Sequence, residues 1–128
     1  MTYLWVALGG ALGSVARFAL ATVIARRFGE GFPWGTILVN VTGSFLIGVL
    51  AALSESGGKL AGAVALQRFL VVGICGGYTT FSAFSVQTLD LARSGHALAA
   101  GLNVLLSVAL CLFAVWCGHL LGAAVRGN

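Results

Sequence analysis

The stretch Gly73-Ile74-Cys75-Gly76-Gly77-Tyr78-Thr79-Thr80-Phe81-Ser82-Ala83-Phe84-Ser85 lies inside an apolar run of the chain. It combines three glycines, four serine or threonine residues and two phenylalanines spaced i, i+3. Glycine loses backbone entropy in a helix, and threonine competes for backbone hydrogen bonds. In a membrane, a non-helical turn needs protein groups or a water-filled cavity around its polar backbone. The stretch therefore predicts a membrane helix broken near mid-membrane at residues 76–79, a feature that builds ion sites. A glycine-rich packing kink is the alternative.

Composition defines the broad class of the protein. Of its 128 residues, 59% are apolar and only 8% are charged, and the mean hydropathy is +1.04. Soluble domains carry roughly 25% charged residues, so the sequence predicts an integral membrane protein with one membrane domain over residues 1–128. The net charge of +4 comes mostly from loops and ends, and we expect it to affect topology rather than to bind nucleic acid.

Four apolar runs account for nearly the whole chain. They cover about residues 3–25, 34–53, 63–91 and 97–124, and each can cross a bilayer at about 1.5 Å per helical residue. The predicted fold is therefore an all-α integral membrane protein with four transmembrane helices, the third broken at residues 76–79. The first run is too long for a signal-peptide core and lacks a basic start.

Arg17 and Asn40 are two of the polar side chains that lie well inside predicted spans. Arg17 is the only charge there, and we expect it to face a water-filled cavity or the bundle interior, with snorkelling to an interface as the alternative. Asn40 lies in the second span, in a stripe with Thr36 and Ser44. Its amide must bond to a neighbouring helix or face an aqueous path, and the sequence leaves both readings open.

The fourth span carries a stripe of small polar residues. Asn103, Ser107 and Cys111 recur at i, i+4 and i+8. Such residues usually pack membrane helices together, so alone the stripe is weak evidence for a site. The three cysteines lie in apolar runs without C-x-x-C spacing, which predicts small buried hydrophobes rather than a disulfide or metal framework.

The distribution of basic residues predicts an unusual topology. Four spans place both termini and the loop between spans two and three on one side of the membrane. Three basic residues fall on that side and three on the other: Lys59, Arg68 and Arg126 against Arg26, Arg27 and Arg93. Because an excess of Lys and Arg normally orients a membrane protein, a balanced chain should insert both ways. Opposite copies would pair about a two-fold axis in the membrane plane.

The chemistry inside the spans argues against an enzyme and favours an anion. The three acidic residues, Glu30, Glu55 and Asp90, all lie at loops or helix ends, so paired carboxylates for acid–base work are lacking. A cation or drug exchanger ordinarily uses an acidic residue within the membrane. Amides and hydroxyls donate hydrogen bonds, and phenyl edges carry partial positive charge. Phe81 and Phe84 would stack along one helix face, although lipid or core packing explains such a pair equally well.

Three ordered motifs resemble one known family. They are Gly9-Gly-Ala-Leu-Gly-Ser-Val-Ala-Arg17, Gly35-Thr-Ile-Leu-Val-Asn-Val-Thr-Gly-Ser-Phe45 and the stretch from Gly73 to Ser85 quoted above. Together with length and span number they resemble the Fluc (CrcB) fluoride channels over the whole chain. Two positions depart from the common pattern: Ala83 stands where threonine is common in that family, and Cys111 where serine is common.

The resemblance implies an antiparallel, dual-topology homodimer in the cytoplasmic (inner) membrane that exports fluoride passively through two pores. By position it implies that Phe81 and Phe84 turn their ring edges toward the ion and that Asn40 lies near its path. Further polar lining would come from Thr80, Ser82, Asn103 and Ser107. Arg17 would lie in a vestibule, and the backbone carbonyls of Gly76 and Thr79 would hold a structural sodium ion between the subunits. Two alternatives remain open, a small dual-topology multidrug exchanger and a non-conducting packing subunit.

Overall fold

The computed structural model describes residues 1–55 and 57–126, and this part of the chain forms helices without β-strands. In chain order these are α1 (Thr2–Phe28), α2 (Trp34–Ser54), α3 (Val64–Gln67), a π-helical segment (Arg68–Cys75), α4 (Gly76–Tyr78), α5 (Phe81–Arg93) and α6 (Ala97–Arg126). Four stretches are long and apolar enough to cross a membrane: α1, α2, Val64–Arg93 and α6. The predicted all-α class with four spanning helices is thereby confirmed.

The four spans alternate in direction, and their ends form two opposite faces. At one face the Arg68 guanidinium donates a hydrogen bond to the Thr2 hydroxyl at 2.7 Å, and Arg126 is paired with Glu55. The start of α1 therefore lies beside the start of the third span, and the end of α6 lies beside the end of α2. At the other face the loops around residues 29–33 and 94–96 line one shared cavity.

Helices α2 and α6 form the most extensive interface of the bundle. Glycines make this close approach possible, because a Cβ on Gly48 would collide with the backbone carbonyl of Val115, and one on Gly118 with that of Phe45. Small residues at such contacts let membrane helices pack backbone to backbone. α2 and α6 therefore form a rigid wall against which the interrupted third span is placed.

Helix α1 packs along the first half of the third span. A Cβ on Gly73 would lie 2.8 Å from the Cα of Gly9, and the Trp5 ring meets the Phe69 ring edge to face at 6.1 Å. Residues 68–75 are wound as a π-helix, whose i→i+5 hydrogen bonds widen the backbone and commonly occur near functional sites. The second half of the third span, α5, packs mainly on α6.

Candidate functional site

The third span changes to extended backbone at two consecutive threonines. Thr79 has φ −80° and ψ 158°, and Thr80 has φ −152° and ψ 118°, both in the region that β-branched residues favour. The residues Gly76–Tyr78, by contrast, are helical. Gly77 supports close packing rather than unwinding, because a Cβ there would collide with the backbone of Gly10. The extended segment is thus Thr79–Thr80, separated from Gly77 by Tyr78, whereas the sequence predicted an interruption at residues 76–79.

Asn40 of α2 holds this extended segment through both groups of its side-chain amide. Its Oδ1 accepts a hydrogen bond from the Thr80 N–H at 2.8 Å, and its Nδ2 donates one to the Thr80 carbonyl at 2.9 Å. Next to it, the hydroxyls of Thr42 and Tyr78 share a hydrogen bond at 2.9 Å. The N–H and carbonyl of Thr80, which a continuous helix would pair within itself, are therefore paired with the Asn40 side chain of α2.

The backbone carbonyls of Gly76 and Thr79 are among those that lose their helical partners at the same place. The N–H of Thr80, which a continuous helix would aim at the carbonyl of Gly76, donates to Asn40. The N–H of Ala83, which would aim at the carbonyl of Thr79, donates to the Thr80 hydroxyl at 3.1 Å and so caps α5. The oxygens of Gly76 and Thr79 are left without the i+4 donors that a continuous helix would supply.

A groove of about 430 Å³ runs beside the extended segment between α2, α5 and α6. Its lining is Asn40, Ser44, Ile47, Thr79, Thr80, Phe81, Phe84, Ser107, Val108, Cys111 and Leu112. All of these side chains are uncharged, so hydroxyl, amide, thiol and phenyl groups determine its character. α5 begins at Phe81 within this groove, and a helix N-terminus carries partial positive charge.

The two phenylalanine rings of the groove occupy different environments. Their centroids are 5.2 Å apart with an interplanar angle of 46°. Phe84 is buried at 9% relative exposure, whereas Phe81 is 78% exposed. The Phe81 ring, at the start of α5, therefore faces outward from the helix bundle of this single copy.

Four of the residues implied by the resemblance lie outside the lining of this groove. Ser82 is exposed and its hydroxyl pairs with that of Thr80 at 3.2 Å, and Gly76 is exposed one turn before the extended segment. Asn103 is buried at 1% exposure and bonds to Thr88 in α5. Arg17 is half-buried, and its Nε is buried without a hydrogen-bond partner among the described residues.

Two polar side chains of the groove were not among the predicted site residues. Ser44 lies one turn after Asn40, and its hydroxyl makes no hydrogen bond within residues 1–55 and 57–126. Cys111 lies one turn after Ser107. The i, i+4 stripes contained both signals, but helix packing accounts for such stripes equally well. Only the position of the third span shows which residues of each stripe face the groove and which pack against another helix.

A second, larger cavity of about 850 Å³ opens at the face with the loops 29–33 and 94–96. Four ionisable side chains line it: Arg26, Glu30, Asp90 and His96. The Oε1 atom of Gln87 is also buried here without a hydrogen-bond partner in the described part of the chain. Arg17 does not belong to the lining of either cavity.

The fold and the groove together define a small multi-pass membrane protein with a polar, uncharged groove inside an apolar helix bundle. Residues 4–119 match the family model described as CrcB-like protein, Camphor Resistance (CrcB), and the chain belongs to this family. The resemblance found in its motifs is thereby confirmed.

Curated relatives match over nearly the full length. A protein of Opitutus terrae is 53% identical over 98% of this chain and 94% of its own length. A protein of Rhodospirillum rubrum is 52% identical over 93% and 92%, and one of Methylocella silvestris is 48% identical over 98% and 96%. Each of these relatives is named "Fluoride-specific ion channel FluC".

Proposed function

We propose that this protein is a fluoride-selective ion channel and not an enzyme. The observation that carries the proposal is the groove at Thr79–Thr80, where hydroxyl donors and two phenylalanine rings meet without a charged side chain. Family membership and relatives named as fluoride-specific channels support the same function. The channel lets fluoride leave the cell passively and so relieves its toxicity.

The groove offers what a small anion needs in place of water. Fluoride is strongly hydrated, so a conducting path must replace most of its hydration shell without holding the ion too tightly. The Ser44 hydroxyl donates a hydrogen bond, and the Ser107 hydroxyl does so by turning away from Asn103 Oδ1, which it meets at a long 3.4 Å. The edges of Phe81 and Phe84 carry partial positive charge. The start of α5 adds its dipole. A full positive charge within the groove would trap the ion, and the lining has none among the described residues.

A second copy of the chain completes the path in this proposal. Phe81 is largely exposed at the groove, and α5 contacts little besides α6 and α2. The basic residues are balanced at three on each face, which favours insertion in both orientations. An antiparallel, dual-topology homodimer would cover the exposed ring and bring the two Thr79–Thr80 segments together near mid-membrane, where the third helix would be broken. Each of two pores would then use groups from both copies.

A structural sodium ion fits the carbonyls beside the extended segment. The oxygens of Gly76 and Thr79 lack their helical donors because Thr80 and Ala83 donate elsewhere. Unwound carbonyls are the usual ligands for such cations within membranes. Two oxygens from each copy would give a four-oxygen site on the two-fold axis, where the ion neutralises converging carbonyl dipoles and holds the subunits together.

The proposed localisation is the cytoplasmic (inner) membrane, as a multi-pass protein surrounded by lipid. Arg17, whose Nε has no hydrogen-bond partner within residues 1–55 and 57–126, is proposed to face a water-filled vestibule outside the narrow part of the path. A cation there draws anions toward the pore without binding them inside it.

Ion efflux from liposomes tests this function directly. Liposomes that contain only this protein are loaded with potassium fluoride or potassium chloride, and a potassium ionophore is added to relieve the charge. We expect rapid fluoride release and almost no chloride release. Comparable chloride release would contradict fluoride selectivity, and no release of either ion would favour a non-conducting packing subunit. Proton-coupled uptake of cationic dyes without fluoride release would identify a multidrug exchanger.

A further inference from the structure

We propose that Tyr78 is a positioning residue of the channel: its hydroxyl donates a hydrogen bond to the Thr42 hydroxyl of α2 and so holds the end of α4, from which the extended segment Thr79–Thr80 begins. The inference deepens the proposed function and rests on it for its effect on fluoride flux. The hydrogen bond itself joins two helices and can be measured without any ion.

The direction of this hydrogen bond follows from the other contacts of Thr42. The two hydroxyl oxygens are 2.9 Å apart, and the Thr42 hydroxyl also lies 2.8 Å from the carbonyl of Leu38 and 3.2 Å from that of Val39. A carbonyl only accepts, so Thr42 uses its one hydroxyl hydrogen within α2, as threonines in helices commonly do. Its free lone pairs then accept from Tyr78, which is therefore the donor.

The Tyr78 ring lies against the glycine that follows Thr42. A Cβ on Gly43 would lie 3.1 Å from Cδ1 and 3.5 Å from Cε1 of that ring, so a larger residue at position 43 would push the ring away from α2. On the other side, a Cβ on Gly13 of α1 would lie 2.8 Å from the backbone nitrogen of Tyr78. Tyr78 is thus packed between α1 and α2, and its hydroxyl bond fixes where along α2 the ring lies.

The next residue, Thr79, begins the extended segment and is held at the same glycine. A Cβ on Gly43 would collide with the Cγ2 methyl of Thr79, so this methyl occupies the space that the glycine leaves free. The Thr79 hydroxyl and N–H both donate to the carbonyl of Cys75, at 2.9 Å and 3.0 Å. Thr79 therefore keeps these contacts only while the end of α4 stays against α2. Within residues 1–55 and 57–126, the bond from Tyr78 to Thr42 is the one side-chain hydrogen bond that joins α4 to α2.

Tyr78 also lies between the two residues whose carbonyls are proposed to bind sodium, Gly76 and Thr79. The distance between these carbonyls depends on the backbone turn that Tyr78 occupies, and a side chain bonded at its far end opposes rotation of that turn. The same turn precedes Phe81, which begins α5 in the groove. Losing the hydroxyl bond should therefore disturb the proposed sodium site and the first groove ring together.

Fluoride efflux from liposomes tests the role of the hydroxyl. Tyr78→Phe removes the hydroxyl and keeps the ring on Gly43. We expect efflux to fall roughly 2- to 10-fold, the factor by which one lost hydrogen bond shifts the balance between two backbone arrangements. Thr42→Val removes the acceptor with little change of shape and should lower efflux by a similar factor. The double variant should lower efflux no further, because each single change already removes the bond.

Three variants serve as controls. Thr42→Ser keeps the accepting hydroxyl and should conduct as the native protein does. Ser54→Ala is matched to Thr42→Val, because Ser54 of α2 also donates to the carbonyl four residues earlier, that of Leu50, at 2.7 Å. Tyr3→Phe is matched to Tyr78→Phe, because Tyr3 is 88% exposed. Near-native efflux in Tyr78→Phe would overturn the positioning role, and so would multiplicative effects of Tyr78→Phe and Thr42→Val.

The Raman spectrum of the Tyr78 phenol measures the hydrogen bond in fluoride-free buffer. The chain has two tyrosines, so Tyr3→Phe leaves Tyr78 as the only phenol. We expect the bands of a hydrogen-bond donor in Tyr3→Phe, the same bands when Thr42→Ser is added, and bands of a phenol without this acceptor when Thr42→Val is added. Identical spectra with and without Thr42→Val would overturn the bond. If the native protein released no fluoride from liposomes, the proposed function would fail, while these spectra would still decide whether Tyr78 donates to Thr42.

Discussion

The side-chain amide of Asn103 in α6 donates a hydrogen bond to the hydroxyl of Thr88 in α5 at 2.8 Å. The same hydroxyl donates to the carbonyl of Phe84 at 2.7 Å, and the Ser107 hydroxyl donates to Asn103 Oδ1 at 3.4 Å. This chain of bonds links the backbone of Phe84, whose ring lines the groove, to α6. Asn103 is thus a link between helices, the packing role that small polar residues commonly have in membrane spans.

Removing the hydroxyl at position 88 should therefore destabilise the protein. Thr88→Val leaves the amide of Asn103, which is only 1% exposed, without its partner, at a cost of about 1–2 kcal/mol. The double variant Thr88→Val with Asn103→Leu should recover part of this loss, because neither polar group then remains. Thermal unfolding in detergent measures both. Additive losses in the double variant would mean that the two side chains are not coupled.

The packing of α2 on α6 should be equally sensitive to a single methyl group. Gly48→Ala places a Cβ against the Val115 carbonyl, and overpacking of this kind costs about 1–3 kcal/mol. Gly101→Ala is the matched control in α6, because a Cβ there meets nothing within 4 Å and alanine favours a helix by about 0.5–1 kcal/mol. Unfolding temperatures in detergent should fall for Gly48→Ala and not for Gly101→Ala. The reverse order would show that the interface tolerates a Cβ.

Much of this fold could be predicted from the sequence alone, because hydropathy dictates where helices can cross a bilayer. The four apolar runs and the all-α class were predicted correctly, and the three ordered motifs identified the family. The runs underestimated helix length, however: α1 continues to Phe28 and α6 to Arg126. Basic residues end an apolar run but not a helix, since their long side chains reach the interface while their backbone stays helical.

Other features depend on contacts between distant residues and could not be predicted. The π-helical segment Arg68–Cys75 has an ordinary apolar sequence, and no pattern in it indicates the wider winding. Its backbone packs against Gly9 of α1. From the sequence, the Asn40 amide could either bond to a neighbouring helix or face an aqueous path. Its actual partner, the Thr80 backbone, is forty positions away. Only the fold shows that glycines pack while the threonines after them extend.

The pairing of Glu55 with two residues of α6 should make stability depend on pH. A hydrogen bond with His119 Nε2 at 2.9 Å, and then one from Arg126, lower the pKa of the Glu55 carboxyl below its ordinary value of 4.5. A lowered folded-state pKa gives stability that is fully present above about pH 4.5 and is lost as the pH falls through the folded pKa. Glu55→Gln should therefore be less stable than the native protein at neutral pH, with the difference shrinking in acid.

Glu30→Gln is the control for this pH dependence, because Glu30 is an exposed loop residue without an ion pair among residues 1–55 and 57–126. Unfolding temperatures in detergent between about pH 3 and 7 should change alike for Glu30→Gln and the native protein. If Glu55→Gln kept the native pH profile, the pairing would contribute nothing to stability.

Added charge at one end should break the balanced topology. Two lysines appended after Asn128, which lies outside the described residues, should bias insertion so that this end stays in the cytoplasm, because basic residues near span ends direct orientation. Accessibility of a C-terminal tag in intact cells should show both orientations for the native chain and one for the variant. Fluoride export should then require a companion copy with the opposite bias. A native chain found almost entirely in one orientation would contradict dual insertion.

Replacing Phe81 and Phe84 one at a time tests whether their ring edges contribute to fluoride conduction. Phe81→Ile and Phe84→Ile keep apolar bulk but remove the polarised ring edge, so fluoride efflux from liposomes should fall at least tenfold in each. Within one copy Phe81 is exposed, so Phe81→Ile should leave the fold of the single helix bundle unchanged. Phe84 is buried, so Phe84→Ile should lower the stability of the bundle by about 1 kcal/mol. Phe113→Ile is the control, since Phe113 is also exposed and apolar but is absent from the groove lining. Near-native fluoride efflux in both groove variants would mean that the rings only fill space, and the hydroxyls of Ser44 and Ser107 would then have to replace the water around the ion without them.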